Sequence, residues 1–97
     1  MARFDLFRDG DDYLLDVQAT RLDELNTRVV VPLQQPERAP KPGKRLNPVF
    51  SIDGRKYVMV TQFISAIPQK ELRDPSGTLA DRHDEIVAAL DMLFQGV

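Results

Sequence analysis

Apolar and polar residues alternate along the first two-thirds of the chain and switch to a helical spacing near its end. Arg3–Phe7 is a short strand candidate. Tyr13–Gln18 (YLLDVQ) then sets Tyr13, Leu15 and Val17 against Leu14, Asp16 and Gln18, the period of two expected of a half-buried strand. Between them Asp9-Gly10-Asp11-Asp12 carries turn chemistry, with Asp9-Gly10 supplying positive φ, so the pair reads as a hairpin. Thr27–Leu33 (TRVVVPL) is the most strand-like segment, because a β-branched run suits a pleated surface. Pro32 must then sit at a strand edge, end or bulge.

A second hairpin follows from Val49–Ile52, the turn Asp53-Gly54 and Lys56–Gln62. Tyr57, Met59 and Thr61 face one way and Val58, Val60 and Gln62 the other. Apolar residues on both faces predict a central strand packed on each side. Phe63–Ile67 and Gln69–Leu72 add one more short strand, bent at Pro68. The stretch between the hairpins, residues 34–48, is proline-rich and has neither period. It reads as a long exposed loop.

The period changes after the turn Asp74-Pro75-Ser76-Gly77. Leu79, Ile86, Leu90, Leu93 and Val97 fall within about 40° of one line at helical pitch. That is an apolar stripe, with Val87 and Phe94 widening it on one side and Met92 lying off it, free for a second contact. Thr78 or Asp81 could cap the helix, and Asp81, Asp84 and Glu85 suit the positive end of its dipole. The pattern runs to the final residues, Asp91–Val97 (DMLFQGV), where chain ends are usually polar and frayed.

Composition narrows the function. A chain of 97 residues, 42% hydrophobic and 29% charged, reads as one globular domain, residues 1–97. A net charge of −2 is not the footprint of a nucleic-acid binder, and no direct nucleic-acid binding is expected. Absence of cysteine excludes disulfides and thiolate metal sites and fits a reducing cytoplasm. No apolar run is long enough for a membrane span. Charge is nonetheless segregated. Arg38, Lys41, Lys44, Arg45, Arg55 and Lys56 face only Asp53, whereas Asp74, Asp81, Asp84, Glu85 and Asp91 face only Arg82.

Catalytic chemistry does not assemble. His83 has no cysteine to activate and no second histidine to share a metal, and it reads as a packed or half-exposed helix residue. Ser51, Ser65 and Ser76 stand in no elbow motif, and no glycine loop cradles phosphate. The Asp-rich turn lacks the spaced ligands of a calcium loop. No metal or cofactor is expected. Arg28, Arg55 or Arg73 beside Asp16, Thr61 or Asp74 would satisfy the modest needs of RNA hydrolysis, but such pairs are common.

Asp16-Val17-Gln18, Val30-Val31-Pro32-Leu33, Asn47-Pro48-Val49 and the ending Met92-Leu93-Phe94-Gln95-Gly96-Val97 occur in the order and spacing of one family. On these stretches the whole chain resembles the CcdB toxins of bacterial toxin–antitoxin systems. The resemblance implies a mainly β fold with a C-terminal α-helix: an SH3-like barrel of twisted antiparallel sheet plus a small second sheet, assembled as a homodimer. It also implies a non-enzymatic toxin that poisons DNA gyrase by wedging its paired helix ends into the gyrase A subunit, and a CcdA-like antitoxin that neutralises it with a disordered tail. The fold is shared with MazF-type endoribonucleases, which keeps ribonuclease activity as a remote alternative.

Carried onto this chain, the gyrase-contacting residues are Arg21, Leu22, Asp91, Phe94, Gln95, Gly96 and Val97. The family ends Trp-Gly-Ile where this chain has Gln95-Gly96-Val97, and it carries an apolar residue where Arg21 stands. A changed target, or a role confined to binding the antitoxin, is therefore the main alternative. The expected antitoxin surface combines the turn residues Arg8, Asp9 and Asp11 with the basic loop residues Arg38, Lys41, Lys44 and Arg45.

Overall fold

The computed structural model describes residues 1–97. Seven strands, β1 (Asp5–Asp9), β2 (Asp12–Asp16), β3 (Thr27–Gln34), β4 (Val49–Ile52), β5 (Arg55–Met59), β6 (Ser65–Pro68) and β7 (Gly77–Thr78), precede one helix, α1 (His83–Gln95). The strands form one antiparallel sheet in the order β4-β5-β3-β2-β1-β7, and β6 branches from β3. β3 is thus shared by two arms: its first half pairs with β6, and its end pairs with β5. The result is a curled half-barrel carrying a C-terminal helix, consistent with an SH3-like barrel.

Local chemistry sets the boundaries. β1 begins at Asp5 rather than Arg3 because Phe4 has φ 74°, outside any strand conformation. Asp9 pairs with Asp12, so the turn residues are Gly10 and Asp11 instead of Asp9-Gly10. Gly10 alone has positive φ there, the pattern of a II′ turn, whereas Asp53 and Gly54 both have it, as a I′ turn requires.

Pro32 lies inside β3, yet at a locally open edge. Its carbonyl accepts the Val60 N–H, so its nitrogen faces the same side, where β6 has ended and β5 has barely begun. β5 stops at Met59, and Thr61–Phe63 and Gln69–Glu71 form short 3-10 turns; the expected strand over Gln69–Leu72 is replaced by the latter.

Alternation sorts the sheet residues into two faces. Leu6, Tyr13, Leu15, Val31, Leu33, Phe50, Tyr57 and Met59 pack with Ile86, Ala89 and Leu90 of α1 in the main core. Their neighbours Phe7 and Val30 join Leu72 on the opposite face, backed by Met1, Leu14 and Ile67. Tyr57 and Val58 are both buried, as expected for a strand packed on both faces.

α1 starts four residues later than its apolar stripe. Leu79 is buried ahead of a 3-10 turn, Ala80–Arg82, and the Thr78 hydroxyl accepts the Ala80 N–H (3.1 Å) at the start of that turn. Neither Thr78 nor Asp81 caps α1, whose N-terminal flank, Arg82, makes no side-chain capping bond. His83 is half exposed and sets its ring edge-on to Phe4 at 5.6 Å.

Candidate functional site

The C-terminal residues form an ordered helix end. Gly96 takes the left-handed conformation (φ 75°) and donates its N–H to the Met92 carbonyl (3.0 Å), closing the last turn. A side chain there would strain this cap, which explains the glycine. Toward this end the apolar stripe no longer packs: Leu93 is half buried, but Phe94 is 69% and Val97 68% exposed. The expected burial of Val97 on the stripe is therefore corrected, because Gly96 redirects the chain before Val97. Gln95 is exposed and its amide donates to Asp91 (3.4 Å), a residue only half buried. Helical spacing of four brings those two polar residues together beside Phe94.

Arg21 and Leu22 lie on an exposed 3-10 turn, Thr20–Leu22, within the loop between β2 and β3. That loop is held from below by a buried polar network; the sequence offered Arg28 beside Asp16 only for RNA chemistry, not as a structural support. Asp16 faces Val30 across the β2–β3 ladder, which makes Arg28 its diagonal neighbour on the same face. Arg28 grips the carboxylate with two bonds, Nε to Oδ2 (2.8 Å) and Nη2 to Oδ1 (2.9 Å), and both side chains are 0% exposed. Gln18 completes the set: its amide nitrogen donates to the Leu22 carbonyl (3.1 Å), and its amide oxygen accepts the Val29 N–H (3.0 Å). Asp23 lies 3.6 Å from Arg28 Nη1 and also receives the Met1 ammonium (3.2 Å). Burial pushes the Asp16 carboxyl above its ordinary pKa, and the Arg28 and Gln18 hydrogen bonds offset this only in part.

The turn and the proline-rich loop do meet. Asp12 accepts the Gln35 N–H (3.3 Å) and pairs with Arg38, while Arg8 folds over the Tyr13 ring at 4.8 Å and donates to the Gly10 carbonyl. Asp9 and Asp11 are exposed beside them. Lys41, Lys44 and Arg45 are exposed farther along the loop and form no ion pair. The loop is fastened at its far end by buried Asn47, which accepts the Gly43 N–H and donates to Met59 and Gln62. Asn47 was legible only as part of a family motif; its polarity before a strand hid its burial.

The residues open to RNA chemistry divide into buried and exposed sets. Arg28 and Asp16 are sealed together, and Thr61 is buried with its hydroxyl on the Leu46 carbonyl. Arg55, Arg73 and Asp74 are exposed.

A half-barrel with a capped C-terminal helix presenting bare apolar side chains defines an SH3-like barrel whose notable surface is a helix end. The family model described as CcdB protein matches residues 3–96, and the chain belongs to that family. It is thereby a toxin of a toxin–antitoxin system, a class that works with an antitoxin partner. No helix is long and apolar enough to cross a membrane.

Proposed function

We propose that this toxin acts in the cytoplasm as a homodimer, with no catalytic step of its own, and binds the DNA gyrase A subunit through its paired helix ends. The supporting observation is the exposure of Phe94 and Val97 at a helix end that Gly96 keeps ordered. Exposed apolar anchors on a rigid element are the ingredients of a binding hot spot. Leu22, 48% exposed, and Arg21 supply a second contact from the β2–β3 loop. Purified protein added to gyrase and plasmid DNA is expected to accumulate cleaved complexes. Deleting Gln95–Val97 removes that activity; absence of cleavage at large protein excess sinks the reading.

One observation favours a second reading. Gln95 stands where the family's Trp supplies a stacking ring, and its amide turns to Asp91 instead. Loss of an aromatic anchor commonly costs more than ~2 kcal/mol, roughly 30-fold in affinity. A different target surface would accommodate a polar residue there. Growth arrest on expression without gyrase cleavage is the outcome that selects this reading.

A further inference from the structure

The largest cavity of the molecule, about 890 Å³, includes no residue of α1. The β2–β3 loop forms one bank, and the end of β6 with the 3-10 turn Gln69–Glu71 forms the other. Its lining is polar and mixed. Asp23 and Glu24 accept hydrogen bonds, Lys70 donates them, and Asn26, Thr27 and Gln69 do both. Leu25, 48% exposed, and Leu72 add a small apolar patch.

A buried donor stands behind this lining. The Asp16 carboxylate takes Nε and Nη2 of Arg28, which leaves Nη1 at the third corner of the guanidinium. Nη1 is buried and makes no hydrogen bond. It faces Asp23 Oδ1 at 3.6 Å, too far for a hydrogen bond, and Asp23 is part of the cavity wall. An unsatisfied buried donor is costly, so the site gains most from an acceptor that reaches it. Asp23 is half exposed, and its rotation outward opens a path from the cavity to Nη1.

Chemistry selects the occupant. An atom seated between Nη1 and the Asp23 carboxylate must accept from one and donate to the other. A hydroxyl does both; a carbonyl only accepts, and an amide N–H or an ammonium only donates. Charge gives the same answer, since an anion meets Asp23 and Glu24 whereas a cation meets Arg28 and Lys70. A rigid ring carrying several hydroxyls suits the remaining donors and acceptors and loses little freedom on binding. We propose that this cavity binds a neutral monosaccharide. One ring hydroxyl bridges Arg28 Nη1 and Asp23, its neighbours reach Asn26, Gln69 and Lys70, and the C–H face lies on Leu25 and Leu72. The site does not depend on the target of the toxin.

The probe is methyl α-D-glucopyranoside, titrated into the isotope-labelled full chain and followed by NMR. Methyl β-D-ribofuranoside serves as the pentose, and tetrahydropyran as a ring without hydroxyls. A ligand of this size in an open cavity is expected to bind with a millimolar Kd. Shifts are expected at the Arg28 guanidinium and at the amides of residues 23–27 and 69–72, and not in α1. Asp23→Ala removes the acceptor without touching the Asp16–Arg28 bonds and should weaken binding about tenfold. A circular-dichroism melt verifies that this variant is folded, and the Arg28 signal is read in the wild type without any substitution. Binding of either glycoside with these shifts supports the site, and the tighter one gives its ring size. No binding of either, equal binding of tetrahydropyran, undiminished binding to folded Asp23→Ala, or an unmoved Arg28 guanidinium overturns the assignment.

Discussion

Asp16 and Arg28 lie wholly inside the molecule, whereas Phe94 and Val97 lie bare on its surface. Each region inverts the rule that apolar residues go inside and charges stay out. The inversions serve different ends. A buried charge pair contributes little net stability, because desolvation offsets its attraction, but losing one partner is costly. The Asp16–Arg28–Gln18 network thereby commits the β2–β3 loop to one arrangement. The exposed pair contributes almost nothing to folding and, on the proposed function, keeps apolar area in reserve for a partner. Stability and binding should therefore respond to substitution at different places.

The largest effect is expected at the buried pair. Arg28→Ala strands the Asp16 carboxylate and should cost about 3–5 kcal/mol in urea unfolding. Replacing both residues together, Asp16→Leu with Arg28→Met, should restore most of that loss; a double variant as unstable as the single one would break the contrast with the surface site. At the helix end, Phe94→Ala should weaken target binding by more than ~2 kcal/mol while leaving unfolding within about 0.5 kcal/mol of wild type. A comparable loss of stability would make Phe94 part of the core after all.

Smaller changes sharpen the boundary. Asn47→Ala leaves the Met59 carbonyl and the Gly43 N–H without their partner, and should cost about 1–3 kcal/mol by thermal melt. The smallest effect is a pH dependence. Asp16 holds its proton more tightly folded than unfolded, so its contribution is most favourable below the unfolded carboxylate pKa. That contribution declines as pH rises through the raised folded value. Asp16→Asn should flatten this segment of the stability–pH curve; an unchanged slope would assign it to other carboxylates.

The hairpin positions were readable because Asp53-Gly54 demands a I′ turn and because alternation distinguished the two faces of β2, β3 and β5. The stripe Ile86-Leu90-Leu93 likewise located α1. The starting points were not readable. Phe4 at φ 74° and the 3-10 turn Ala80–Arg82 are local departures whose cause is tertiary packing, and periodicity is blind to them. Arg28 was hidden because arginine in a strand reads as a solvent-facing residue by default. The available signal was its place two residues before Val30, on a face that also carries Leu14 and Asp16. Exposure of Val97 was equally hidden, since its helical angle matched the stripe and only the left-handed Gly96 takes it off.

On the proposed function, the bare helix end is the working surface and the buried network only its support. Gyrase cleavage with equal amounts of folded wild type, Phe94→Ala and the Gln95–Val97 deletion tests it most directly. Cleaved complexes should form with wild type and fall roughly 30-fold or more in dose response for both variants, with unfolding curves unchanged. Full cleavage activity in either folded variant would contradict it.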